Sequence, residues 1–226
     1  MSLPEELAGR ALLIDLFDTL VATDFDAIET ELAASIGCTR ADLVTQLGAA
    51  GPLMTTATAY EQFFVGLFES IGRPATDDDI AEVMTRDREL LVRHSRVLED
   101  ARELVGHVRG SGNSIAFISN CAPNARAIVD HFEIYEWVDK VVLSCDVGVA
   151  KPDAAIFELA CSRLGVAPSE AAFVDDQAKY CVGAANAGLR SYWVVRDGTA
   201  PTAPVVSGSA PVHVITSCLD LVSPQS

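Results

Sequence analysis

A few acids, one lysine and one serine stand at or near the points where apolar runs stop. Asp15 follows "ALLI", with Asp18 three residues on; Ser119 follows "IAFI"; Asp175 and Asp176 follow "AAFV"; and Lys151 stands before Pro152. A charge at the end of a buried run is costly unless it is paired. Gathered in one place, Asp15, Asp175 and Asp176 repel one another, and at neutral pH such a cluster needs a cation or a retained proton. Mg²⁺ suits an all-oxygen site built from one or two carboxylates, water and a substrate phosphate. Lys151 adds a positive charge and Ser119 a hydrogen bond.

Residues so far apart meet only if the fold brings them together. The apolar runs are short, nearly continuous, and separated by helical patterns such as "NARAIVDHF" and "DAAIFELACSRLG". That alternation predicts a parallel sheet covered on both faces. Ligands of such sheets bind beyond the carboxyl ends of the strands, where these polar residues converge. From Val21 to Arg96 the pattern changes. Phe25, Ile28, Leu32 and Ile36 recur at helical spacing, as do Tyr60, Phe63, Phe64, Leu67, Phe68 and Ile71, then Ile80, Val83, Met84, Leu90 and Leu91. Three or four amphipathic helices and no strand are expected there, with Thr23 and Thr76 as N-caps before acidic first turns. The stripes read as the core of a helical bundle. An all-helical block, residues 21–96, thus interrupts an α/β core of residues 1–20 and 97–226. The stretch "DGTAPTAPVVSGSAP" is rich in turn formers and reads as a surface excursion.

Composition narrows the chemistry further. The 226 residues suffice for one ample domain, or one with a smaller insert. Thirty-two acids against sixteen bases give a formal charge of −16, which argues against nucleic acid and anionic membrane as partners. An anionic substrate would need a local cation. The six cysteines form no C-x-x-C pair and the four histidines are scattered, so a zinc site is not indicated and the thiols read as buried and free. The chain lacks an apolar run long enough to span a membrane and its first residues lack a secretory pattern, so a soluble, cytoplasmic protein is expected.

In order along the chain, "LLIDLFDTLV", "FISN", "VGVAKPDAAIF" and "AAFVDDQAKYCVGAANAGL" resemble the four motifs of the haloacid dehalogenase superfamily of hydrolases. The resemblance implies a Rossmann-like core with a helical cap inserted after the first motif. It implies Asp15 as nucleophile, with Thr19 and Ser119 on the transferred group, Lys151 as charge balance, and Asn120 and the main chain of Phe17 toward the substrate. Asp15, Asp176, Asp175 and the Phe17 carbonyl would hold Mg²⁺. The implied reaction is hydrolysis of a small phosphorylated metabolite through an aspartyl-phosphate.

The duller readings are a turn at Ser119-Asn120, a surface lysine at Lys151 and a helix cap at Asp175-Asp176. One position departs from the family's phosphatases: the second acid, two residues past the nucleophile, is Phe17. Asp18 is one place too far and points elsewhere along an extended chain, which makes it a turn acid. Tyr180 occupies a position of the fourth motif where an acid or Asn is frequent. Haloacid dehalogenases carry an aromatic residue at the Phe17 position, so a 2-haloacid hydrolase is the alternative, and a non-catalytic binding protein a further one.

Overall fold

The computed structural model of the chain describes residues 7, 9–199, 202–204 and 210–222. The expected excursion over 197–211 falls partly outside them, at 200–201 and 205–209. The strands are β1 (Ala11–Ile14), β2 (Val21–Thr23), β3 (Ser95–Val97), β4 (Ile115–Ser119), β5 (Lys140–Leu143), β6 (Ala171–Asp175), β7 (Arg190–Val194) and β8 (Val212–Ile215). Six of them form a parallel sheet in the order β5-β4-β1-β6-β7-β8.

Every residue of β1, β4 and β6 is buried, as strands covered on both faces must be. Side chains of β1 alternate between two cores, the period of two that an extended chain imposes. Leu12 and Ile14 pack with Leu104 and Val105 of α5 (Glu99–Gly110) and Ile128 of α6 (Ala125–His131). Leu13 packs on the other face with Phe157 of α8 (Ala154–Leu164) and Ala184 of α9 (Ala178–Asn186). A short helix α7 (Ser144–Val147) follows β5 directly. No helix among the described residues is long and apolar enough to cross a membrane.

Between β2 and β3 lie four α-helices among the described residues, α1 (Phe25–Ile36), α2 (Arg40–Ala49), α3 (Ala57–Ser70) and α4 (Asp77–Arg93). Strands are not expected here, yet β2 and β3 pair antiparallel, with Val21 opposite Val97 and Thr23 opposite Ser95. Three residues are too few to display alternation, and their pairing joins positions far apart in sequence. The ribbon ties the segment's entry to its exit. It also corrects Thr23, which is extended in β2 with its hydroxyl 2.8 Å from that of Ser95. The cap of α1 is Asp24, whose Oδ1 accepts from the Ala27 amide at 3.0 Å. Thr76 does cap α4, reciprocally with Asp79.

The segment is fastened to the rest of the molecule by a buried carboxyl. Asp87 of α4 accepts from the Tyr60 hydroxyl and, at 2.8 Å, from the Asn124 amide at the start of α6. Burial pushes the Asp87 carboxyl up, and these donors pull it partly back. Cysteines 121, 145, 161, 181 and 218 are buried, Cys38 is half-exposed, and all six thiols are free.

Two outcomes test these assignments. Asp24→Ala should cost about 1 kcal/mol in urea unfolding, a typical cap loss, and Thr23→Ala less. Asp79 is held at about 2 by the Thr76 hydroxyl and amide and then by Arg73. A lowered carboxyl stabilises the fold above its ordinary 3.8 and loses that effect as pH falls toward about 2. Thr76→Ala should therefore flatten the acid limb of stability against pH over that interval.

Candidate active site

Parallel strands end on one rim, and β1 lies between β4 and β6, so Asp15, Ser119 and Asp175 arrive there side by side. Ile14 is level with Phe117 on one neighbour and Val174 on the other, and the Asp15 amide donates to the Val174 carbonyl at 3.0 Å. Oxygens of Asp15, Asp175 and Asp176 lie within 4.8 Å of one another, a group that could hold a metal ion.

Lys151 enters between two of these acids. Its Nζ is 2.5 Å from Asp15 Oδ1 and 2.6 Å from Asp175 Oδ2, with only 3% of the residue exposed. Burial alone would lower the lysine's pKa; the charges of Asp15 and Asp175 outweigh it and keep the ammonium protonated. The ammonium also lies 4.8 Å from the ring centre of Tyr180, so the irregular residue of the fourth motif offers it an aromatic face. The remaining Asp175 oxygen, Oδ1, accepts from the Gln177 amide at 2.7 Å. Both oxygens of Asp175 are thus engaged.

The main chain at Lys151 is clamped. Asn120 donates through Nδ2 to the Lys151 carbonyl and accepts through Oδ1 from its amide, both at 2.7 Å. Asn120, expected to face substrate, has its amide committed to positioning the lysine. Next along the chain, Pro152 presses on α9 at Gly183, where an added Cβ would stand 2.6 Å from the Pro152 carbonyl oxygen. Gly183 was not singled out in the sequence, where nothing marks a helical glycine as a point of close approach.

Asp176 is held by its backbone. Its amide donates to Thr19 Oγ1 at 3.0 Å and its carbonyl accepts from Trp193 Nε1 at 2.8 Å, while its Oδ1 is buried without a partner. Burial first, then the charge of Asp15, raises its carboxyl to about 6. Thr19 is fully buried, and its hydroxyl serves the Asp176 amide. Ser119 Oγ is likewise buried and has no partner. Asp18 sits at φ 58° and accepts from the Thr23 amide at 3.3 Å, which is the work of a turn acid. The Phe17 ring stands edge-on to Phe25 of α1, with centroids 5.6 Å apart.

A cavity of about 510 Å³ opens between the helical segment and the sheet, bordered by Phe17 and Asn120, which flank the rim residues in sequence. A larger one of about 670 Å³ lies among α1, α3 and α4 and touches no residue of the rim.

Comparison with known proteins agrees with this architecture. The family model for haloacid dehalogenase-like hydrolases matches residues 10–188. A phosphoserine phosphatase of Thermus thermophilus is 32% identical over 153 residues, 64% of this chain and 57% of that protein. An (S)-2-haloacid dehalogenase 4A of Burkholderia cepacia is 30% identical over 103 residues, 45% of each. The matched stretch therefore spans about half the length of these relatives. Among solved structures, a dehalogenase superposes with TM-score 0.68 at 20% identity over 99% of this chain and 100% of that one. A family enzyme of Bacteroides thetaiotaomicron, in complex with magnesium and inorganic phosphate, does so with TM-score 0.65 at 21% identity over 84% of this chain and 96% of that one. With four motifs in order, a parallel sheet that delivers them to one rim, and a family model over most of its length, the chain belongs to the haloacid dehalogenase-like hydrolases.

Proposed function

We propose that this hydrolase is a Mg²⁺-dependent phosphatase acting through an aspartyl-phosphate on Asp15. The observation that carries this reading is the imbalance of charge at the rim: three clustered carboxylates meet one ammonium, and Asp176 Oδ1 is buried with nothing bound to it. An all-oxygen set with an orphaned carboxylate oxygen fits a hard divalent cation. Asp15, Asp176 and the Phe17 carbonyl would hold Mg²⁺, which when bound neutralises charge on the phosphoryl oxygens. Asp175, with both oxygens engaged, supports the site through Lys151.

Lys151 occupies Asp15 Oδ1 and leaves Oδ2 to attack phosphorus. The bond from phosphorus to the leaving oxygen breaks as the acyl phosphate forms. Water then attacks phosphorus, releasing inorganic phosphate and restoring Asp15. Ser119 donates its unpaired hydroxyl to a phosphoryl oxygen, and Lys151 offsets charge that develops in both steps. Residues 21–96 act as a cap over the rim. Phe17 gives the leaving oxygen no acid, so departing groups that are stable as anions, aryl and acyl oxygens, are favoured.

Dehalogenation is the second reading, favoured by Phe17 and by the likeness to (S)-2-haloacid dehalogenase 4A. There Asp15 would attack carbon and halide would leave without a proton. Against it stands the same unneutralised cluster, which would work against an ionised nucleophile in the absence of a metal.

A screen of aryl, acyl and alkyl phosphates and 2-haloacids, with Mg²⁺ and with chelator, should show phosphate release that needs Mg²⁺; halide release in chelator would overturn the assignment. Asp15→Asn should abolish turnover with an unchanged circular dichroism spectrum, and Asp176→Asn should weaken Mg²⁺ binding in calorimetry. Phe17→Asp should raise turnover of alkyl phosphates relative to aryl phosphates, within the ~10²–10⁴ that general acid catalysis supplies.

A further inference from the structure

The cavity above Phe17 is lined by apolar groups of the helical segment, among them Phe25, Leu43, Leu47 and Phe63. Its charged lining residues are Glu29 and Asp87, both acidic, and no Lys, Arg or His borders it among the described residues. Neither acid is idle. Glu29 is paired with Arg40 at 2.6 Å, and Asp87 accepts from Tyr60 and Asn124. Burial and the neighbouring Asp87 hold the Tyr60 hydroxyl protonated, so Tyr60 and Asn124 both donate to Asp87 Oδ2 at this corner of the cavity.

An anionic group entering such a space loses its water, finds no cation and faces two acids. A cationic group would lose its water too, and at Asp87 it would meet a carboxyl that burial pushes toward its neutral form. An uncharged hydrocarbon meets neither cost, and about 510 Å³ falls in the range of pockets that hold small organic ligands. We propose that this cavity receives the leaving group of the substrate and that this group is an uncharged aryl or medium-length acyl body. The inference deepens the phosphatase reading and rests on it for the reacting group alone. It separates the substrate from phosphoserine and from 2-haloacids, each of which carries a carboxylate.

The test compares three phenols of one skeleton: 4-ethylphenol, 4-hydroxyphenylacetate and tyramine, neutral, anionic and cationic on similar spacers. Calorimetry on the Mg²⁺-loaded protein should find 4-ethylphenol bound about tenfold or more tightly than either charged analogue. Leu47→Arg, which places a cation at a half-exposed position of the lining, should reverse the order in favour of 4-hydroxyphenylacetate. Equal binding of the three, binding of none, or an order unmoved by Leu47→Arg overturns the assignment. The corresponding aryl phosphates should follow the same order in kcat/KM. If none is hydrolysed while the phenols keep their order, the phosphatase reading fails and the cavity's preference stands.

Discussion

The ammonium of Lys151 lies between the carboxyl groups of Asp15 and Asp175, which would otherwise face each other in a buried setting with no positive charge between them. Burial opposes charge on Lys151, and the two neighbouring carboxyls outweigh it, whereas burial and the charge of Asp15 push the Asp175 carboxyl up despite the ammonium beside it. Breaking such a pair from one side typically costs ~3–5 kcal/mol, because the remaining charge is stranded. Much of the rim can be understood as the means of delivering one amine to one place. Asn120 fixes its main chain from β4, Pro152 seats the following turn on α9, and Tyr180 and Gln177 complete the surroundings of the ammonium and of Asp175.

The cavity beside the rim has no cationic side chain in its lining among the described residues. Phe17 leans on Phe25, so the first motif and α1 share an apolar contact. The Asp87 carboxyl, reached from α3 by Tyr60 and from the α6 side by Asn124, fastens α3 and α4 to the start of α6 with hydrogen bonds instead of ion pairs.

How far the sequence discloses this depends on whether the signal is local. Apolar runs that end in Asp15, Ser119 and Asp175 announce β1, β4 and β6 and their common rim, because burial of a parallel sheet writes itself into consecutive residues. Thr76 with Asp79 is equally local, a box closed within four residues. The β2–β3 ribbon, the role of Asn120, the close approach at Gly183 and the Asp87 fastening are all pairings across long sequence separation, for which a single sequence holds no periodicity to read. Thr23 shows the local limit: two adjacent capping types compete, and the strand pairing of Thr23 decides in favour of Asp24.

The free thiols are spread usefully through this architecture. Cys121 follows β4 and Cys145 lies in α7, Cys161 and Cys181 are on the buried faces of α8 and α9, and Cys218 is in the last helical turn, while Cys38 alone is more than slightly exposed. Burial raises the thiols of Cys161 and Cys218 to about 11, which suppresses the reactive thiolate as long as the surroundings stay closed. The native chain therefore carries its own set of chemical clocks. Timed alkylation followed by peptide mass analysis would date the opening of each region separately, with Cys38 as the internal zero, and would resolve whether the inserted helices and the sheet come apart as one cooperative unit or in turn.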